Sequence, residues 1–156
     1  MKLIDGLYFG ISLLRMNLNK NVRIPLSIHI SLTNRCNNRC RYCHFDRMPR
    51  EDEWTTDSLL KVLGEMREIG TRRVQFTGGE PMLRSDLGII LRRAKNLGMF
   101  VGLSSNGFGI KERVEELKPC DIVQISYDGP PEIHGYLRGE ESVRDAETAI
   151  ATLREA

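Results

Sequence analysis

The sequence has no apolar run long enough to cross a bilayer. Its longest apolar stretch near the N-terminus, Leu7 to Leu14, is broken by Ser12 and ended by Arg15, short of the roughly 20 residues a spanning helix needs. No small-residue cleavage site clearly follows it, so no membrane span and a cytoplasmic protein are expected. Excess charge of one sign is also missing. Against 21 Asp and Glu stand 23 Lys and Arg, a formal net charge of +2, which argues against a dedicated nucleic-acid surface. Low-complexity tracts, a clear linker and internal repeats are absent. Cysteine is sparse, and its layout is a poor one for a disulfide framework: three of the four fall within eight residues, and Cys120 lies far away. Such clustering fits metal ligation in a reducing compartment. With 40% hydrophobic and 28% charged residues in 156, the chain reads as one soluble globular domain able to bury a core.

The patterning that is present alternates strand and helix. Residues 8–20 carry Tyr8, Phe9, Ile11, Leu13, Leu14, Met16 and Leu18 and read as an N-terminal helix with a broad apolar face. Leu26 to Leu32 reads as a first strand. Thr55, Thr56 and Asp57 offer caps for a helix carrying Leu59, Leu60, Leu63, Met66 and Ile69, with Gly70 as its stop. Arg73 to Phe76 is a second strand. Ser85 is placed to cap a helix through Leu97, stopped by Gly98. Met99 to Leu103 is a third strand, Ile110 to Leu117 a short helix, Ile122 to Ser126 a fourth strand. A last helix runs from Val143 to Leu153 behind a possible Ser142 cap. Four strand–helix units predict an α/β fold with a parallel sheet and right-handed crossovers. In such sheets ligands gather beyond the carboxyl ends of the strands, and every chemically suggestive residue lies just after a predicted strand.

The first of these loops holds Cys36, Cys40 and Cys43 in the spacing C-x3-C-x2-C. Iron–sulfur cubanes are held by thiolates, usually one per iron. Three protein ligands therefore leave one iron open, as a catalytic zinc keeps an open position. Arg35, Arg39 and Arg41 can offset the anionic sulfurs, and Asn34, Asn37 and Asn38 suit an irregular loop. Two other readings stand beside this one. The cysteines could share one face of a buried helix, against which the Asn- and Arg-rich neighbours speak. They could also bind zinc, completed by His44 or His134.

Cys36-x3-Cys40-x2-Cys43, with Tyr42 before the last cysteine, resembles the signature of the radical S-adenosylmethionine (radical SAM) enzymes. The resemblance implies a [4Fe–4S] cluster and S-adenosylmethionine as cofactors. In that family the methionine amino and carboxylate groups chelate the open iron, and one-electron reduction of the sulfonium releases a 5′-deoxyadenosyl radical. The protein's share is orientation and exclusion of side reactions. A low-potential electron donor such as flavodoxin or ferredoxin is implied as a partner.

Three more loops carry the resemblance further. Thr77-Gly78-Gly79-Glu80-Pro81 matches the family's GGEP motif, which implies that Gly78, Gly79 and Glu80 seat the methionine amino group. From the residues alone, two glycines permit close backbone approach and a carboxylate suits an ammonium, although a plain turn has the same composition. Ser104-Ser105-Asn106-Gly107 resembles the ribose contact region, assigning Ser105 or Asn106 to the ribose. Ser126-Tyr127-Asp128-Gly129-Pro130, followed by His134, Arg138 and Gly139, resembles a block of the SPASM-type, peptide- and cofactor-maturing branch. It implies that Ser126 and Arg138 bind the methionine carboxylate, and an arginine can do so with two parallel bonds. Tyr42 is expected to place backbone near the adenine. Asp128 reads as a turn former, Cys120 as a small core residue, and His29 as a packed or hydrogen-bonded strand residue.

The resemblance spans residues 23–156, an incomplete radical SAM core behind an N-terminal helical segment at 1–22. It implies a (β/α)6 partial barrel, of which about four units are present. The expectation that follows is a truncated frame, an excised piece, or a chain completed by a partner. The leading functional expectation is reductive cleavage of S-adenosylmethionine and hydrogen abstraction from an unidentified substrate, peptide or small molecule. A zinc-binding module is the second. An electron-transfer iron–sulfur protein is the third, and it lacks the expected fourth ligand nearby.

Overall fold

A computed structural model describes residues 3–19, 24–44 and 53–156. Its centre is a four-stranded parallel sheet in the order β1 (Ser27–Ser31), β2 (Arg73–Thr77), β3 (Phe100–Ser105), β4 (Ile122–Ile125). Ile28 pairs with Val74, Val74 with Val101, and Leu103 with Val123. The strand order follows chain order, as successive crossovers to one side require. Among the described residues the sheet does not close on itself, so the α/β fold is a partial barrel, as expected.

Alternation puts Val74, Phe76, Val101 and Leu103 on the face covered by helices. There they meet Leu59 and Leu63 of α2 (Thr56–Glu68), Leu87, Ile90, Leu91 and Ala94 of α3 (Leu87–Asn96), and Ala149 of the C-terminal helix. The expected punctuation is seen at several ends. Thr55 Oγ1 accepts the Ser58 N–H at 3.2 Å and caps α2. Gly70 and Gly98, with φ of 108° and 72°, carry the chain out of α2 and α3 in a conformation that side chains resist.

Several boundaries differ from the sequence reading. Helix α1 occupies Leu3–Leu18, five residues earlier in its start than expected, and the expected end at residue 20 and boundary at 22/23 lie outside the described residues. The α3 cap position is Asp86 rather than Ser85. The Asp86 carboxylate makes no cap bond because Arg84 and the Thr56 hydroxyl engage it at 2.6–2.8 Å. Strand β3 runs on to Ser105, since its last residues pair with β4. The return after it is α4 (Ile110–Arg113) with a 3-10 turn over Val114–Leu117.

A further helix, α5 (Pro131–Arg138), occupies the stretch read as a motif-bearing loop. The last helix, α6 (Glu140–Glu155), starts behind Gly139, so Ser142 lies inside it rather than at its cap. The N-terminal helix docks through Tyr8: its hydroxyl donates to Gly70 O at 3.0 Å, and the Arg72 guanidinium stacks 3.9 Å from its ring.

Candidate active site

The carboxyl ends of all four strands open into one cavity of about 160 Å³. Cys36, Cys40, Cys43 and Tyr42 reach it from the loop after β1, Gly78 and Gly79 from the turn after β2. Ser105 and Asn106 come from the end of β3, Ser126 from just beyond β4, and Arg138 from the end of α5. Of the residues that the resemblance assigns to the cluster or to S-adenosylmethionine, Glu80 alone does not line it.

The two glycines fit a backbone rather than a ligand. Beyond the strand ends, Leu32 N–H donates to Thr77 O, Gly79 N–H to Thr33 O and Glu80 N–H to Arg35 O, at 2.7–2.8 Å. This extends the β1–β2 ladder into the cysteine loop. A Cβ on Gly78 would lie 2.5 Å from Thr33 O, and one on Gly79 would lie 2.2 Å from Arg35 O. Glycine is therefore what lets the cysteine loop lie against β2.

Glu80 is fully buried, and its carboxylate accepts three protein donors. Met82 N–H and the Ser105 hydroxyl reach Oε1 at 3.0 and 2.8 Å, and Asn106 N–H reaches Oε2 at 2.7 Å. Burial pushes its pKa up, against the pull of these hydrogen bonds. The carboxylate thus brackets the ends of β2 and β3 instead of facing the cavity, and the turn offers a ligand its backbone. Ser105 is committed on both sides, donating to Glu80 and accepting the Gly107 N–H at 3.0 Å. Asn106 Nδ2 donates to Asn37 Oδ1 at 2.8 Å and lies 4.0 Å from Cys36 Sγ, joining β3 to the cysteine loop.

The opposite wall is tied by Asp128. Its carboxylate accepts the Tyr42 hydroxyl at 2.5 Å and pairs with Arg138 through Nε at 2.7 Å and Nη2 at 3.1 Å. Burial, together with that carboxylate, pushes the Tyr42 hydroxyl up to about 12. The Arg138 guanidinium draws Asp128 below the usual carboxylate range. Arg41 adds a second tie: its N–H donates to Leu137 O at 2.9 Å, its Nε to Tyr136 O at 2.8 Å, and it stacks 4.0 Å from the Tyr136 ring. Neither Asp128 nor Arg41 stood out in the sequence as an organiser. The available signal was Pro131, suited to a first helical turn, ahead of Ile133 and Leu137 at helical spacing.

His134, the candidate zinc ligand, is buried with both ring nitrogens engaged. Nδ1 accepts the Asp128 N–H at 3.1 Å and Nε2 meets the Ser142 hydroxyl at 2.9 Å. Because Nδ1 accepts, the proton sits on Nε2, and the Ser142 hydroxyl passes its own to Gly139 O at 2.9 Å.

A family model described as the Radical SAM superfamily matches residues 30–156. The chain belongs to the radical SAM superfamily. Among curated proteins this radical SAM chain is 40% identical over 111 residues to a probable GTP 3′,8-cyclase of Halobacterium salinarum, covering 65% of the chain and 31% of that protein. It is 38% identical over 116 residues to the PqqA peptide cyclase of Bradyrhizobium diazoefficiens, covering 70% of the chain and 30% of that protein. The matched stretch is thus under a third of either relative. Among solved structures, Streptococcus suis SuiB bound to S-adenosylmethionine superposes with a TM-score of 0.73 at 19% identity, over 92% of this chain and 35% of that one. The structure of anSMEcpe with bound AdoMet and a peptide gives 0.71 at 21%, over 83% and 40%. At those identities the likeness is one of fold. A peptide cyclase among the relatives agrees with the branch that the Ser126–Gly139 block resembles.

Membership in the radical SAM superfamily brings a [4Fe–4S] cluster and S-adenosylmethionine as cofactors, and the residues present fit both. All three thiols are free and half-buried on the cavity rim. Burial raises Cys36 and Cys40, with Arg138 pulling Cys40 back and the Asn38 N–H pulling Cys36 back. Among the described residues no three His, Cys, Asp or Glu side chains converge on one ion. No described helix is long and apolar enough to cross a membrane.

Proposed function

We propose that Cys36, Cys40 and Cys43 hold the [4Fe–4S] cluster and that the chain is the cofactor-binding part of a radical SAM enzyme acting on a peptide. The observation that carries this reading is the single cavity shared by the three cysteines, Gly78, Gly79, Ser126 and Arg138. Bound there and reduced, the cluster supplies one electron to the sulfonium of S-adenosylmethionine, which yields methionine and a 5′-deoxyadenosyl radical able to abstract hydrogen. The chain's own residues orient the cosubstrate. Backbone of Gly78–Glu80 receives the amino group, Ser126 and Arg138 take the carboxylate, and Ser105 or Asn106 meets the ribose. Backbone beside Tyr42 borders the adenine. Flavodoxin or ferredoxin in a reducing cytoplasm would deliver the electron. The peptide assignment draws on the relatives: one is a peptide cyclase, and SuiB has been solved with its precursor peptide SuiA. Residues 23–156 would supply the cofactor-binding core, behind a separate N-terminal segment.

Anaerobic reconstitution with iron and sulfide tests the metal. Four irons per chain are expected, falling to none in a Cys36→Ala, Cys40→Ala, Cys43→Ala variant. Zinc uptake without an iron chromophore would overturn the reading. With dithionite and S-adenosylmethionine, 5′-deoxyadenosine should form. Deuterium passing into it from a deuterated peptide pool supports the peptide substrate, whereas transfer from deuterated GTP instead would replace it.

A further inference from the structure

Asp128 stands between two side chains that come from different elements. Tyr42 belongs to the cysteine loop, next to Cys43, and Arg138 closes α5. One carboxylate oxygen of Asp128 receives both the Tyr42 hydroxyl at 2.5 Å and Arg138 Nε at 2.7 Å, while the other receives Arg138 Nη2 at 3.1 Å. The guanidinium also lies 5.5 Å from the Tyr42 ring, so the three groups form one contact set. The carboxylate is itself located, because the Asp128 N–H donates to the ring of fully buried His134.

A guanidinium has five N–H donors in a rigid fork. Asp128 uses the edge formed by Nε and Nη2, and its pairing makes no demand on Nη1. Arg138 at the same time lines the cavity beside Cys40 and Ser126. An arginine held in this way keeps an edge suited to a second carboxylate, in an orientation already chosen. A long side chain fixed before binding does not have to surrender its rotamer freedom when the ligand arrives.

We infer that Asp128 is a positioning residue: it presents Arg138 to the methionine carboxylate of S-adenosylmethionine and, through Tyr42, registers that arginine against the loop bearing the cluster ligands. The inference rests on the carboxylate role proposed above for Arg138. It separates Asp128 from Glu80, which ties two strand ends without touching a ligand-binding side chain of opposite charge.

Equilibrium dialysis on the reconstituted full chain tests it, with S-adenosylmethionine and its decarboxylated analogue as the two probes. In Asp128→Asn the affinity for S-adenosylmethionine should fall about tenfold, the scale of one charge-assisted contact. The analogue, which has no carboxylate to lose, should bind within about twofold of its wild-type affinity, and iron content should be unchanged. In Arg138→Lys the same selective loss is expected, and adding Asp128→Asn should cost little more, because the fork that Asp128 holds is gone. Equal losses for both probes, no loss, or tighter binding of S-adenosylmethionine in Asp128→Asn would each overturn the assignment. Should that variant fail to load iron, Tyr42→Phe carries the test: a selective loss of about threefold supports the assignment, and an unchanged ratio between the probes overturns it. A wild-type chain that binds neither probe sinks the proposed function itself, a result distinct from wild-type binding that Asp128→Asn leaves intact.

Discussion

The two walls of the cavity are each gathered by one carboxylate, under opposite electrostatic conditions. On the β2–β3 wall Glu80 is fully buried and satisfied by neutral donors, two backbone N–H groups and a hydroxyl. Burial dominates there and raises its pKa. On the β4–α5 wall Asp128 keeps 23% of its side chain exposed and faces a guanidinium, whose hydrogen bonds outweigh desolvation and lower its pKa. A buried acceptor that fails leaves its donors without water, whereas one at the surface hands them to solvent. The Glu80 wall should therefore carry stability, and the Asp128 wall should carry ligand orientation.

The sharpest way to break this contrast is Glu80→Ala, which orphans three donors in the protein interior. At about 1–3 kcal/mol per buried unsatisfied group, partly relieved by relaxation, a loss of about 3–5 kcal/mol is expected. A urea midpoint shift at unchanged slope would measure it, and a shift below about 1 kcal/mol would remove Glu80 as the bracket. Next in size is Gly79→Ala, whose Cβ would meet Arg35 O at 2.2 Å. Overpacking of this kind costs about 1–3 kcal/mol, and displacement of the cysteine loop should lower the iron retained after reconstitution. Asp128→Asn should cost only about 0–1 kcal/mol in the same urea experiment, because the pair it breaks is partly solvated. A loss matching that of Glu80→Ala would erase the distinction between the walls.

The finest discrimination is the pH dependence, where the two carboxylates have opposite signs. Asp128 is lowered from an ordinary value of 3.8, so its contribution is complete above that value and disappears as pH falls through the depressed one. Asp128→Asn should flatten the acid limb of a stability–pH curve. Glu80 is raised from 4.5, so its ionisation is resisted by the fold and stability declines as pH rises from 4.5 through the raised value. Glu80→Gln should remove that decline. Denaturation at a series of pH values reads both slopes, and like-signed effects of the two variants would refute the assignment of causes.

Much of the fold was legible in the chain because its cues are local. The Thr55 cap, the Gly70 and Gly98 stops and the alternation in Val74 to Phe76 act within a turn or a strand. So did the placement of motifs at strand ends, since loops follow strands in order. Helix α5 was missed because its residues were absorbed into a motif, and a proline pair reads as a turn until Pro131 is seen as a first helical position. Ser85 and Ser142 fit the composition of caps, yet α3 takes Asp86 as its cap residue and α6 starts behind Gly139. Asp86 went to Arg84, and Ser142 to Gly139 and His134.

The amino-acid order alone carries the C-x3-C-x2-C spacing, the family and the succession of strand and loop, because spacing along a chain survives any arrangement of it. Assembly decided which way the side chains of those loops turn. Asp128 lies 86 residues from Tyr42, and Asn106 lies 69 from Asn37. Such groups become neighbours only when parallel pairing brings the strand ends to one rim. The same closure turned Glu80 into the interior and left Asp128 at the edge, so that two like carboxylates acquired opposite electrostatic lives.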